Sequence, residues 1–298
     1  MNTTGAVEVL HPGLFTSIQD GGRRGYRKWG VPVSGPMDSR SAALANALLN
    51  NSVEMPLMEI TLVGPTLRFV TASVVAITGA DLSPLRNGAP VALNQAIVLQ
   101  ANDLISFGKL RFGARAYLAV KGGFFSPKVM GSSAYFQPVT GESRLTKGAL
   151  IPILMSEDRP GSTSATSVKA DHEIFFSSTI ECKIGPEFYS LSQTHQREIF
   201  TTFFKVSTES NRMGYRLDQS NLHYPDGFSM LTSPVLPGTV QLTPSGQLIV
   251  LMRDAQTTGG YPRVLQLTET GISQLAQKKP GDCFTFTLGS MTKQYKVR

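Results

Sequence analysis

The feature that most limits what this chain can fold into is its succession of short β-rich runs, cut at close intervals by Gly, Pro, Asn and Asp. Val7–Leu10, Leu67–Val70, Ser73–Ile77, Ala96–Leu99, Leu104–Phe107 and Ala116–Val120 supply them in the N-terminal half. Glu181–Ile184, Thr239–Leu242, Leu248–Leu251 and Cys283–Leu288 continue the habit. Branched and aromatic side chains fit a pleated, half-buried surface, and runs this close leave no room for the crossover helices of a doubly wound sheet. The expected class is therefore mainly β, built as barrels or sandwiches with a few short helices. The clearest helix is Ser34–Leu49, with Ser34 or a neighbour as cap, Pro36 in the first turn and Asp38 on the N-terminal dipole. Tyr189–Phe204 is a second, with Leu191, Ile199 and Phe203 as its buried stripe, and Ile272–Gln277 a short third. The polar stretch Glu157–Glu173 reads as a linker or surface loop. It suggests an N-terminal domain at 1–160, a linker at 161–174 and a C-terminal domain at 175–298.

Composition narrows the partners. The 298 residues are 41% hydrophobic and 16% charged, as in a soluble globular protein, with a net charge of +7. The densest basic group, Arg23, Arg24, Arg27 and Lys28, falls short of a polybasic tail. Neither nucleic acid nor a membrane surface is implied, whereas an anionic small molecule or an acidic protein fits. Cys182 and Cys283 lack any paired spacing and are expected as reduced core thiols, in keeping with a cytoplasmic location. No signal peptide and no run of about 20 apolar residues is evident. The four histidines are far apart, so no metal site is expected.

Three polar clusters stand out against this β background. Asp254-Ala-Gln-Thr-Thr-Gly-Gly-Tyr-Pro262 follows the apolar run 247–252, so a buried strand delivers Asp254, Gln256, Thr257 and Thr258 into a turn on Gly259 and Gly260. Such a turn can take positive φ and bring N–H groups to a ligand. It is not a phosphate-binding P-loop: the G-x-x-x-x-G-K-[ST] pattern is missing and Pro262 bars a following helix. The second cluster, residues 19–38, crowds Gln19, Asp20, Arg23, Tyr26, Ser34 and Asp38 around glycines that a simple hairpin would explain without them. Arginine offers a planar fork for carboxylate or phosphate, and a helix N-terminus beside it also favours anions. The third, Glu209–Asp218, sets Arg212 and Arg216 on either side of Gly214, expected as a sharp turn. Its plain alternative is a solvated loop with paired charges.

Taken in order, these motifs resemble one family. Gln19-Asp-Gly-Gly-Arg23 through Gly30-Val-Pro-Val-Ser-Gly-Pro-Met-Asp38 looks like its opening signature, and Gly64–Phe69, Ile77–Asp81, Gly113–Gly123 and Gly131-Ser132 follow. Asn211-Arg-Met-Gly-Tyr-Arg-Leu217, Pro237-Gly-Thr-Val-Gln241 and Asp254–Pro262 complete the series. The chain is similar to the biotin-dependent carboxyltransferase family, which includes the C subunit of bacterial 5-oxoprolinase, the KipA antagonist protein and half of the urea carboxylase carboxyltransferase domain. Two departures, Asn211 in place of an acidic residue and Lys121 in place of a small one, fall where substrate preference rather than fold would respond.

The resemblance implies two cyclophilin-like β-barrels. It also implies membership of an ATP-dependent 5-oxoprolinase, which opens the lactam of 5-oxo-L-proline to L-glutamate. Two partner subunits, designated A and B, would work beside it, and B would be KipI-like. ATP with Mg2+ would serve the complex. Biotin would enter only under the alternative of a carboxyltransferase acting on urea or a related amide, for which this sequence carries no Met-Lys-Met attachment segment. A further alternative is a KipA-type regulator that binds a KipI-like inhibitor. Catalytic groups are expected at Asp20, Arg23, Arg212, Arg216 and Asp254. Substrate contacts are expected from Gln19, Tyr26, Ser34, Asp38, Met213 and Gln241, and from Gln256, Thr257, Thr258, Gly259, Gly260 and Tyr261.

Overall fold

The computed structural model describes residues 4–154, 173–220, 222–224 and 230–289. The linker expected at 161–174 lies, as far as residue 172, outside the described residues. The chain divides into two compact units, Met1–Phe176 with Ala276–Lys279, and Ser177–Leu275 with Pro280–Arg298.

The first unit holds β1 (Thr4–His11), β2 (Phe15–Gln19), α1 (Ser39–Ala47), β3 (Leu57–Thr61), β4 (Thr66–Phe69), β5 (Ser73–Asp81), β6 (Pro84–Arg86), β7 (Ala89–Pro90), β8 (Ala96–Leu99), β9 (Leu104–Phe107), β10 (Phe112–Val120) and β11 (Leu150–Leu154), with one-turn helices α2 (Gln137–Thr140) and α3 (Glu173–Phe176). The strands pair as a six-stranded sheet, β11-β1-β4-β9-β6-β7, and a five-stranded sheet, β2-β3-β10-β5-β8. Strand alternation sorts the side chains. Val75 and Ile77 of β5 and Leu118 of β10 join Val7 and Phe69 in a core between the sheets. Val74, Ala76, Tyr117 and Ala119 point the other way, against Ala42 and Ala45 of α1. Covered on both faces, β5 is buried from Ser73 to Ala80 and β10 from Ala114 to Val120, so neither shows the in–out alternation of a half-exposed strand.

The second unit is a closed seven-stranded barrel. Its strands are β12 (Thr179–Ile184), β13 (Phe204–Val206), β14 (Gly214–Asp218), β16 (Thr239–Leu242), β17 (Leu248–Leu251), β19 (Arg263–Leu267) and β20 (Cys283–Leu288). Their order is β12-β19-β16-β17-β14-β13-β20. A two-stranded ribbon, β15 (Ser233–Pro234) with β18 (Thr258–Gly259), stands apart from that ladder. Leu217, Val240, Val250, Leu265, Phe284 and Phe286 are buried. Helices α4 (Gln193–Thr201) and α5 (Glu269–Ala276) complete the unit, apart from Ala276.

The mainly β reading holds, a β-barrel is present and the helices are short. Some local expectations need correction. Helix α1 starts five residues after Ser34, because Ser34 and Gly35 sit at φ 60° and 88°, outside helical space. Asp38 is its cap. The stripe expected on Tyr189–Phe204 breaks where Thr202 turns extended, so Phe203 is exposed while Leu191 and Ile199 are buried. Gly214 is no sharp turn; it pairs with Leu251 inside β14. Cys182 is buried, with burial pushing its thiol up to about 12, but Cys283 faces outward on β20.

Candidate functional site

In the first unit the chain leaves β2 at Gln19 and turns through Asp20-Gly-Gly22. Asp20 organises that turn. Its Oδ1 accepts from Gly22 N at 2.9 Å and Ser132 Oγ at 2.5 Å, and its Oδ2 accepts from Ser133 N at 2.6 Å. The carboxylate therefore ties the glycine turn to a hairpin 112 residues away. Gly22 is demanded twice: its φ is +84° and a Cβ there would lie 2.6 Å from Val33 O. Arg23 is fully buried and donates from Nη2 to the Ala134 carbonyl. Gln19, equally buried, donates to Ser17 Oγ at 3.0 Å. Gln19 Oε1 and Ser34 Oγ are buried acceptors without a hydrogen-bond partner among the described residues. Tyr26 packs its ring 5.5 Å from that of Trp29.

Asp38 belongs to a different assembly. Its Oδ1 accepts from Arg40 N and Ser41 N, each at 3.1 Å, and its Oδ2 accepts from Ser41 Oγ at 2.6 Å and Gln277 Nε2 at 2.8 Å. Tyr117 Oη accepts from Asp38 N at 2.8 Å and donates to Glu59 Oε2 at 2.9 Å. Burial holds the Tyr117 phenol well above its ordinary pKa. Gln277 Oε1 in turn accepts from Ala114 N and Arg115 N, both at 3.0 Å. Asp38 is thus consumed by a helix cap and a buried network, and the substrate contact expected of it is corrected to a structural one.

In the second unit β17 feeds the loop 252–262. Asp254 meets Arg212 in a two-pronged pair, Nε to Oδ2 at 2.7 Å and Nη2 to Oδ1 at 3.1 Å, with both side chains 9% exposed. Backbone bonds reinforce it: Asp254 N donates to Arg212 O at 2.9 Å and Met252 N to Met213 O at 3.0 Å. Gln241, buried in β16, donates from Nε2 to Tyr261 O at 3.2 Å, and Val235 N donates to Thr257 O at 3.1 Å. Arg263, just past the loop, pairs with Glu187 at 2.7 Å and donates to Pro234 O at 3.2 Å. The hydrogen bond from Arg263 holds the Glu187 carboxyl below its usual range.

The loop is therefore fastened at both ends and along its middle. Gln256, Thr258, Gly260 and Tyr261 remain on its exposed rim while Asp254, Ala255 and Thr257 turn inward. Gly259 and Gly260 do not take positive φ, contrary to expectation. Gly259 instead packs closely on Gln241: a Cβ there would lie 2.6 Å from Gln241 Nε2, so a larger residue would displace that amide. Arg216 does not share this arrangement, since it lies on the outer side of β14 with Glu209 at 3.4 Å and Gln247 at 3.4 Å. Met213 is exposed beside Arg212.

The expected residues are drawn from both units. Gln19, Asp20, Arg23, Tyr26 and Ser34 belong to the first; Arg212, Met213, Gln241 and the 254–261 loop belong to the second. Asp20, Arg212 and Asp254 each hold short bonds to a protein partner. Sequence reading missed Ser132, Ser133 and Gln277, whose contacts depend on pairings more than 100 residues apart. Among the described residues no three His, Cys, Asp or Glu converge as metal ligands. No helix there is long and apolar enough to cross a membrane.

Comparison with known proteins agrees with this architecture. The carboxyltransferase domain family, subdomain A and B, matches residues 29–288. The chain is 34% identical over 296 residues to the C subunit of 5-oxoprolinase from Escherichia coli strain K12, covering 98% of this chain and 94% of that protein. It is 30% identical over 307 residues to the urea amidolyase of Saccharomyces cerevisiae, covering 94% of this chain but 16% of that protein. The crystal structure of TTHA0988 superposes with a TM-score of 0.86 at 27% identity, over 96% of this chain and 57% of that one. The K. lactis urea amidolyase structure gives 0.85 at 29% identity, over 94% of this chain and 18% of that one. The chain therefore spans only part of those larger proteins. On the match over most of its length and on the shared fold, it belongs to the carboxyltransferase domain family, subdomain A and B.

Proposed function

We propose that the chain serves as the C subunit of an ATP-dependent 5-oxoprolinase, hydrolysing the lactam of 5-oxo-L-proline to L-glutamate together with an A component and a KipI-like B component. The observation that carries the reading is the fastened 254–261 loop. It keeps its own charges paired inward and presents a carboxamide at Gln256, a hydroxyl at Thr258 and a phenol at Tyr261. Amide resonance makes a lactam resistant to water, and phosphorylation of its oxygen by ATP would turn that oxygen into a leaving group. Such chemistry needs donors preset toward a developing oxyanion, with no reorganisation at the moment of reaction. The loop supplies neutral donors of that kind; the Arg212–Asp254 pair acts through it as a positioning pair.

The 34% identity to the E. coli protein favours a lactam among the family's amide substrates. ATP with Mg2+ does not fit the residues of this chain. It carries no P-loop pattern, and its buried carboxylates Asp20, Asp38 and Asp254 are bound to protein donors. Nucleotide binding is accordingly assigned to the partner subunits, in a cytoplasmic complex. The family name and the likeness to urea amidolyase support a second reading, carboxyl transfer with biotin supplied by another protein.

The test is glutamate release from 5-oxo-L-proline and ATP by the purified chain mixed with its two partner subunits. Turnover that needs all three, and that falls at least tenfold in Gln256→Ala with the fold unchanged, supports the proposal. Carboxyl transfer from carboxybiotin without glutamate release would replace it with the second reading.

A further inference from the structure

A cavity of about 480 Å³ opens in the first unit, beside the Asp20–Gly22 turn. It is lined by that turn with Arg24 and Tyr26, by a hairpin carrying Lys128, Met130 and Gly131, and by Ser52 and residues 54–56. The hairpin is tight, with Val129 N donating to Ser132 O at 2.9 Å and Ser132 N to Val129 O at 3.2 Å. Both residues between them are left-handed, Met130 at φ 53° and Gly131 at φ 78°. Glycine accepts that conformation freely and methionine adopts it rarely, so the turn carries backbone strain and keeps Met130, 39% exposed, at the cavity mouth. Asp20 pins the base of the same hairpin through Ser132 and Ser133.

The lining chemistry selects the ligand. Lys128 makes no ion pair among the described residues. Arg24 is paired with Glu54 at 3.0 Å, but the two side chains are 75% and 58% exposed, so that pair is weak and either member is free to turn elsewhere. The Asp20 carboxylate is occupied by three donors. Met55, Pro56 and Met130 add apolar walls of small extent. We infer that this cavity binds a small carboxylate with a compact apolar body, its acid on Lys128 and its body against Met55, Pro56 and Met130. The inference goes beyond the reaction class proposed above and stands on the cavity alone.

Titration calorimetry on the full chain tests it, with 5-oxo-L-proline and L-lactate as carboxylate probes and 2-pyrrolidone as the uncharged analogue. Both carboxylates should bind, Lys128→Glu should weaken them by more than about tenfold, and Lys128→Arg should stay within about threefold of wild type. Binding of 2-pyrrolidone should be weak and indifferent to Lys128. Met130→Gly should raise the unfolding temperature by relieving the turn, yet lose affinity severalfold by removing a wall. Failure of every carboxylate to bind, or affinity that Lys128→Glu leaves unchanged, overturns the inference; so does binding abolished by Gln256→Ala and untouched at Lys128. Glutamate release by the assembled complex is read separately, so either idea can fail without the other.

Discussion

Gln277 offers the sharpest test of how this fold is held. Although it follows α5, it belongs to the first unit, where it is 1% exposed. Its amide closes four bonds there: Nε2 to Asp38 Oδ2 at 2.8 Å and to Arg115 O at 3.0 Å, and Oε1 from Ala114 N and Arg115 N at 3.0 Å each. Gly113, at φ +74°, makes room, since a Cβ there would lie 2.9 Å from Gln277 Oε1. At about 1 kcal/mol per buried bond lost, Gln277→Ala should cost roughly 4 kcal/mol. That is a large share of the ~5–15 kcal/mol that typically holds a domain folded. With a slope of about 2 kcal/mol per M, the urea midpoint should fall by roughly 2 M. Fluorescence of Trp29, the chain's one tryptophan and a member of the first unit, reads the transition of that unit. Gln277→Glu keeps the acceptor but sets a second carboxylate against Asp38. It should be the worse variant at neutral pH and recover as the pH falls and one of the two carboxyls takes up a proton. A midpoint within about 0.3 M of wild type for Gln277→Ala would refute the reasoning.

Other outcomes follow from the same geometry. Arg212→Ala strands the Asp254 charge in a buried place, costing roughly 3–5 kcal/mol, and should speed amide exchange across 252–262; unchanged exchange there would mean the pair does not fasten the loop. Glu187, whose carboxyl is held low by Arg263, contributes stability that is present above the unfolded-state value near 4.5 and lost as the pH falls through the lower folded value. Glu187→Gln should therefore cost about 1–2 kcal/mol at pH 7 and progressively less in acid, with denaturation curves at pH 7 and pH 3 as the check. A thiol reagent should label Cys283 quickly in the native chain and Cys182 only after unfolding, since Cys182 is buried with its thiol pushed up to about 12.

Much of the β architecture was legible because alternation and glycine punctuation are local signals. Ala96–Leu99, Leu104–Phe107, Thr239–Leu242, Leu248–Leu251 and Cys283–Leu288 are strands residue for residue as read. Strands such as Gly214–Asp218 hid behind their charges, because Tyr215 and Leu217 alone face inward and Arg216 does not. The polar clusters were visible as clusters, but their roles were not. An aspartate beside two glycines looks the same in sequence whether it awaits a ligand or, like Asp20, already accepts from Ser132 and Ser133. That Arg212 and Asp254 form one buried pair could not be read from positions 42 residues apart. Lys128 and Met130 drew no notice because a strained turn has no mark in composition when methionine occupies the place of asparagine.

The four residues Ala276–Lys279 carry a consequence for how the protein is made. Synthesis runs from the N-terminus, yet the first unit receives Gln277 and the Lys278 ammonium, which reaches Phe175 O at 3.3 Å, only after residues 177–275 of the second unit have been translated. Its sheets can gather early on the ribosome, but the buried network around Asp38 and Arg115 stays incomplete until residue 277 has emerged. A first unit produced without residues 276–279 would lack the four bonds of the Gln277 amide and the contact of Lys278 with Phe175 O.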